Sequence, residues 1–219
     1  GRRWKRARMA EVVWSLIIVL VVLFGVLLVA AMLTIVERRL LALWQERLGP
    51  TRVGPAGSLQ IIADMIKMFT KEDWVPPFAD RPVFVLAPMV ILIATLTTFA
   101  VIPFAPRLGV VDLDIGLLFF LAMSSMAVYS VVLGGWASNS KYSLLGALRA
   151  AAQMLSYEVF MGLSLMGVVL IVGSFRLHDI VEAQRSLWFV VPQFVGFLAF
   201  LIAGLAETRR VPFDLPEAE

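Results

Sequence analysis

Five stretches of this chain contain no Asp, Glu, Lys or Arg: residues 12–36, 82–106, 115–140, 159–175 and 186–206. A helix needs about 20 consecutive apolar residues to cross a hydrocarbon core, so each stretch is near or above the length of a membrane span. The fourth is the shortest, which predicts that its helix begins earlier, near Leu144, and carries Arg149 and Glu158 into the membrane region. The expected spans are about 12–36, 82–104, 115–135, 144–175 and 186–206. Backbone groups in lipid must be satisfied within each helix or by closure of a barrel, and no barrel-like alternation is visible. The expected fold is therefore an all-α membrane protein, a transmembrane helix bundle with five spans. A content of 60% hydrophobic and 16% charged residues agrees, since soluble domains hold about 45–50% apolar residues.

The chain has no cysteine, so it is expected neither to form a disulfide nor to ligate an iron–sulfur cluster through thiolates. Electrons used at such a protein come from a partner or a bound small molecule. The net charge of +3 reads as a topology signal rather than as a nucleic-acid surface. With five spans, Arg38, Arg39, Arg47, Arg52, Lys67, Lys71, Arg81, Lys141, Arg149, Arg209 and Arg210 fall on one side, and Arg107, Arg176 and Arg185 on the other. That excess predicts a cytoplasmic first side and a periplasmic amino terminus. The basic run GRRWKRAR at residues 1–8 argues the reverse. Because Met9 makes a natural start, residues 1–8 are read as an extension and residues 9–219 as a single transmembrane domain.

The first cytoplasmic loop, Glu37 to Pro82, is too long for a simple connection and should hold structure of its own. Gly49-Pro50 and Gly54-Pro55 mark turns, and Ser58 is the expected N-cap of a helix from Leu59 to about Phe69. Gln60, Asp64, Lys67 and Lys71 follow helical spacing along one stripe while the rest is apolar, which predicts an amphipathic interfacial helix. The plain reading of Asp64 and Lys67 is a solvated i,i+3 pair worth about 0.2–0.5 kcal/mol. Glu37-Arg38-Arg39 likewise reads as a helix end whose arginines snorkel to headgroups.

Arg149 and Glu158 are a stronger signal, because ionisable groups within spans are costly. Nine residues apart, they face opposite sides of one helix and cannot simply neutralise each other. Arg149, Gln153 and Ser156 form one polar stripe, while Glu158 shares its face with Met154 and Gly162. Gly146, Ala147, Ala150 and Ala151 offer small-residue spacing for close helix packing. Glu158 is either a candidate for proton exchange near neutral pH or a carboxylate bonded to a neighbouring helix for packing. The single histidine, His178, has nothing to pair with and reads as solvated. No residue is read as catalytic or metal-ligating.

The tail AETRRVPFDLPEAE places Glu207 just past the fifth apolar stretch with Arg210 at i+3, and Pro212 and Pro216 then prevent a regular helix through Asp214. Together with VERRLLALWQERLGPTRVGPAGSLQIIADMIKMFTKED at 36–73 and GWASNSKYSLLGALRAAAQMLSYEV at 135–159, it resembles the quinone-site membrane subunits of respiratory complex I, the bacterial NADH-quinone oxidoreductases. The resemblance covers nearly all of residues 9–219. It implies an eight-helix subunit of the bacterial inner membrane, so this chain is expected to be truncated at its carboxyl end.

The resemblance further implies that Glu37, Arg38, Asp64, Lys67 and Phe69 line or approach a quinone tunnel. Glu158 and Glu207 would belong to a buried carboxylate path toward proton-pumping subunits, with Asp214, Glu217 and Glu219 connecting the two and Arg210 as their charge partner. Quinone would be the substrate. NADH, FMN and iron–sulfur clusters would sit on partner subunits: peripheral iron–sulfur and quinone-module subunits, small membrane subunits and antiporter-like subunits. Membrane lipid is the remaining partner, and nucleic acid is not expected. Membrane subunits of energy-converting hydrogenases and formate hydrogenlyase share weaker versions of these blocks. A stand-alone ion transporter and a passive membrane anchor are the readings from other classes.

Overall fold

A computed structural model describes residues 2–105, 109–209 and 212–214, with side chains from Val13 onward. The described residues are helices and connecting turns, in two compact units, Gly1–Trp74 and Val75–Glu219. Among the described residues, four helices are long and apolar enough to cross a membrane.

The first unit is built on α1 (Arg2–Trp44), whose Val13–Trp44 part is one of those four. The helix stops where Glu46 turns left-handed (φ 53°) and Arg47 N–H donates back to the Ala42 carbonyl at 2.9 Å. The following loop reverses through Gly54 (φ 73°) and Gly57 (φ 76°). At Gly57 a Cβ would stand 2.1 Å from the Pro50 carbonyl oxygen, so only glycine fits the crossing. The turn delivers Leu59 N–H to the Val53 carbonyl at 3.1 Å and opens α2 (Gln60–Thr70).

The helix expected over 59–69 is therefore present, but its cap differs. Leu59 is the N-cap and no side chain caps it. Ser58 belongs to the preceding 3-10 turn over Pro55–Gly57, donating its own N–H to the Pro55 carbonyl at 3.2 Å.

The second unit runs α3 (Arg81–Thr98), α4 (Gly116–Ala137), α5 (Lys141–Val172), α6 (Leu177–Ala183) and α7 (Phe194–Glu207). Pro88 sits inside α3 and cannot donate to the Phe84 carbonyl. One residue before it, the Ala87 carbonyl accepts the buried Ser130 hydroxyl of α4 at 2.7 Å. Helices α4 and α5 meet through small residues, as the spacing predicts, with Ala147, Ala150 and Ala151 buried. A Cβ on Gly135 would lie 2.3 Å from the Ala147 Cβ and 3.0 Å from the Ser143 carbonyl oxygen. Val128, Ala151 and Met154 form a small apolar core where α4 and α5 cross.

Helix α5 starts at Lys141 and ends at Gly173, whose φ of 74° supplies a left-handed stop. Beyond it, Arg176 reaches Asp112 at 3.4 Å and Asp114 at 3.1 Å, tying the loop before α4 to the entry of α6. His178, expected to be solvated, lies in α6, half-buried, and lines a cavity of about 390 Å³ with Asp112 and Arg176.

The fifth apolar stretch behaves differently from the expectation of a helix over 186–206. Its helix, α7, has 14 residues, rising about 21 Å against a hydrocarbon core of about 30 Å. Residues 186–193 form turns instead, held by glutamines: Phe189 N–H donates to the Gln184 side-chain oxygen at 3.2 Å, and the Gln193 amide nitrogen donates to the Gly167 carbonyl at 3.4 Å.

Gly135→Val should strain the α4–α5 contact, costing about 1–3 kcal/mol as overpacking does in tight cores. The check is a lower unfolding midpoint of the detergent-solubilised protein by circular dichroism, with no such drop for the open-sided Gly25→Ala, whose added Cβ meets nothing within 4 Å.

Candidate functional site

In the first unit, α2 lays Ile61, Ile62 and Met65 against Leu27, Ala31 and Ile35 of α1, and a cavity of about 330 Å³ remains between them. Its walls are apolar apart from Ser58. One helical turn beyond Ile35, Arg38 donates to Asp64 Oδ2 at 2.5 Å. Gln60 donates to the other carboxylate oxygen at 3.0 Å, so both oxygens of Asp64 are engaged. The Asp64 side chain retains 21% of its accessibility and the Arg38 side chain 47%, a half-solvated pair. The hydrogen bond from Arg38, then that from Gln60, hold the Asp64 carboxyl below its ordinary value of 3.8.

Lys67 is a weaker partner than its i,i+3 spacing suggests, at 3.9 Å and largely exposed. Glu37 is partly buried and engaged, while Phe69 stands 84% exposed. Of the five expected residues in this unit, Arg38 and Asp64 are thus bound directly to each other. Arg39, read with Arg38 as a snorkelling side chain, instead donates to the Ala56 carbonyl and ties the reversing loop to α1.

In the second unit, Glu158 of α5 accepts a hydrogen bond from the Ser125 hydroxyl of α4. Glu207, at the end of α7, lies close enough to Glu158 for the two charges to act on each other. The buried Ser124 hydroxyl lies beside Glu207. Neither carboxylate is in an ion pair among the described residues. Arg209, which the sequence pattern did not single out, takes a left-handed conformation (φ 52°) and donates to the Met154 sulfur at 3.2 Å. Asp214 is partly buried; Arg210, Glu217 and Glu219 lie outside the described residues.

Sequence reasoning also passes over Ser124-Ser125. A pair of hydroxyls in the middle of an otherwise apolar span is the available signal, since each must find an acceptor in a low-dielectric interior. Ser156, grouped with Gln153 by spacing, only bonds back to the Ala152 carbonyl of its own helix at 2.7 Å.

Residues 16–219 match the family described as NADH dehydrogenase. The chain is also 62% identical, over 202 residues, to a Methylococcus capsulatus protein named as a subunit of NADH-quinone oxidoreductase. That similarity covers 92% of this chain and 64% of the relative's length.

A lowered acid pKa stabilises the fold above the unfolded value and ceases to do so as pH falls through the folded one. The α1–α2 contact should therefore be constant from about pH 8 to about pH 5 and loosen only below about pH 4, as Asp64 takes up a proton. Asp64→Asn should loosen it across the whole range. Distances between spin labels on the two helices, at positions 28 and 69, read both effects; a transition centred near neutrality would contradict the assignment to Asp64.

Proposed function

This chain belongs to the NADH dehydrogenase family, and from that premise we propose that it is a membrane subunit of an NADH:quinone oxidoreductase that forms part of its quinone site. It spans about 64% of the length of the curated relative it matches, so the proposal concerns its role within the whole enzyme. The observation that carries it is the apolar cavity between α1 and α2 with the Arg38–Asp64 pair one turn away. A quinone has an apolar tail and two carbonyl oxygens on a planar head. Apolar walls suit the tail, and a cation held by an acid beside them suits an oxygen that gains negative charge on reduction.

Reduction of the quinone takes two electrons and two protons and yields the quinol. NADH is the proposed donor, with FMN and iron–sulfur clusters on partner subunits carrying the electrons. This chain's own residues bind and orient the quinone and respond to its charge. Arg38 can turn from Asp64 toward a reduced oxygen because the pair is half-solvated and held by one short contact. Glu37, Lys67 and Phe69 are proposed to approach the same ligand.

The second unit is the proposed place where that charge is felt. With Glu158 and Glu207 interacting and no cation paired to either among the described residues, a proton on one relieves repulsion on the other, and Ser125 can donate to whichever form Glu158 takes. Asp214, with Arg210, Glu217 and Glu219, is the proposed electrostatic link from quinone chemistry to this pair and onward to antiporter-like subunits. The protein is proposed to be multi-pass in a bacterial inner membrane, with a periplasmic amino terminus. Helix α2 would lie at the cytoplasmic surface, and α7 with its preceding turn would make the fifth crossing.

Met65→Trp, which fills the cavity without touching the ion pair, should raise the apparent KM for a short-chain quinone by about tenfold, or about 1.4 kcal/mol of binding, in the complete enzyme. NADH oxidation by an artificial acceptor should be unchanged. An unaltered KM would remove the quinone from this cavity. Glu207→Gln should leave assembly intact and lower the protons moved per NADH; wild-type pumping in that variant would sink the carboxylate path.

A further inference from the structure

We propose that Gln153 is a positioning residue whose single side-chain amide clasps both acid-bearing ends of the segment after α7 onto α5. The proposal rests on the reading of Glu158 and Glu207 as a proton path, and it names what holds that path in place. Gln153 Nε2 donates to the Ala206 carbonyl at 3.2 Å and to the Phe213 carbonyl at 2.8 Å. Both partners are carbonyl oxygens, which only accept, so they fix the amide with its nitrogen toward them.

The two carbonyls belong to the residues immediately before Glu207 and Asp214. Holding a carbonyl fixes the peptide plane that follows, and with it the start of the next residue. One amide thereby orients the backbone of both acids from the same point on α5.

The rest of that helix face agrees. Tyr157, one turn along from Gln153, meets the Phe213 ring edge-on at 5.2 Å between centroids and 65° between planes. Met154 takes the Arg209 guanidinium. Ala206 is fully buried, and its carbonyl also receives Arg209 N–H at 3.2 Å in the turn that ends α7. Gln153 thus shares that carbonyl with the turn itself.

The chemistry demands an amide. Two hydrogens on one nitrogen, at the end of a two-carbon arm, serve two acceptors at once. Asparagine is one methylene short, leucine donates nothing, and glutamate donates one hydrogen only when protonated. A glutamate at 153 would meet two carbonyl oxygens as an ionised acceptor and be repelled by both. The charged groups around it would be Arg149 and Glu158 on α5, and Glu207, Arg209 and Asp214 on α7 and the segment after it; α4 contributes none.

The test uses the complete enzyme in sealed membrane vesicles, with Gln153→Glu, Gln153→Leu and Gln153→Asn. The amount of subunit in the purified complex, NADH:quinone turnover and protons moved per NADH are followed from acid to alkaline pH. Gln153→Leu should lose about tenfold in coupled turnover at every pH, the scale of one to two neutral hydrogen bonds. Gln153→Asn should lie between it and the wild type. Gln153→Glu should show a limb absent from the wild type, with coupling recovering as the pH is lowered and the introduced acid gains the hydrogen it needs. Wild-type coupling in Gln153→Leu, or a wild-type pH profile in an assembled Gln153→Glu, overturns the proposal. So does loss of the complex with all three replacements, which would make Gln153 an assembly residue. Glu207→Gln run in parallel separates the two readings: silence there together with the new acid limb at position 153 would remove the proton path and leave the clasp.

Discussion

Helix α5 presents Gln153, Met154, Tyr157 and Glu158 on adjoining positions of one surface; the first three meet the end of α7 or the segment behind it, and Glu158 lies within electrostatic range of Glu207. The second unit depends on this surface more than on any bulky core. Its buried residues are mostly Ala, Gly, Val and Met, and among the described residues no large side chain is fully enclosed. Small residues bring α4 and α5 so close that Gly135 has no room for a methyl group. That close approach places the Ser125 hydroxyl on Glu158. A looser packing of larger residues would part Ser125 from Glu158 and leave the carboxylate without that donor in a low-dielectric interior.

The first unit solves a different problem with similarly few contacts. A long helix and a short one must meet at a chosen register, yet few residues separate them along the loop. Gly54 and Gly57 provide two left-handed turns, and Arg39 pins the Ala56 carbonyl between them. The apolar face of α2 then falls on α1, and its polar stripe reaches back to Arg38. The Arg38–Asp64 pair contributes little as a surface ion pair would be judged, because solvent screens a partner that is almost half exposed. Its consequence is geometric: it holds a positive charge beside apolar walls, which neither solvent nor lipid would do unaided.

Four of the five expected spans are matched by helices long and apolar enough to cross a membrane, because length and the absence of charge are local properties, read without knowing what each segment touches. A helix in the first loop is legible too, and α2 covers nearly the expected residues. The partners are not legible. Asp64 has Lys67 three residues away as its nearest candidate, while its short contact comes from Arg38, 26 residues earlier. Spacing ranks neighbours on one helix and is blind to a second helix laid against it. Ser58 illustrates the same limit in a turn, where the residue type fits an N-cap but the 3-10 turn before it has already used the backbone. Over residues 186–193 hydropathy alone favours helix, and the turn-forming role of Gln184 and Gln193 depends on a donor, the Phe189 N–H, and an acceptor, the Gly167 carbonyl, that the fold supplies.

Gln153 marks where a stripe-based reading stops being informative. On the helix alone it groups with Arg149 and Ser156 as a polar edge, and polar edges usually face water or headgroups. Ser156 behaves that way in part, bonding only its own helix, whereas Gln153 faces two carbonyls at the end of α7 and behind it. The difference follows from where α7 stops. The last carbonyls of any helix lack donors from within it, and in an apolar setting they must be met by a side chain or by water. Helix α7 ends at Glu207 against α5, where the Arg209 N–H of the closing turn reaches the Ala206 carbonyl and Gln153 of α5 reaches both that carbonyl and the one at Phe213. Among neutral side chains only an amide can serve Ala206 and Phe213 together without bringing another charge beside Glu158 and Glu207. A lysine or arginine there would also satisfy the carbonyls, but it would bring a further cation beside Glu158 and Glu207.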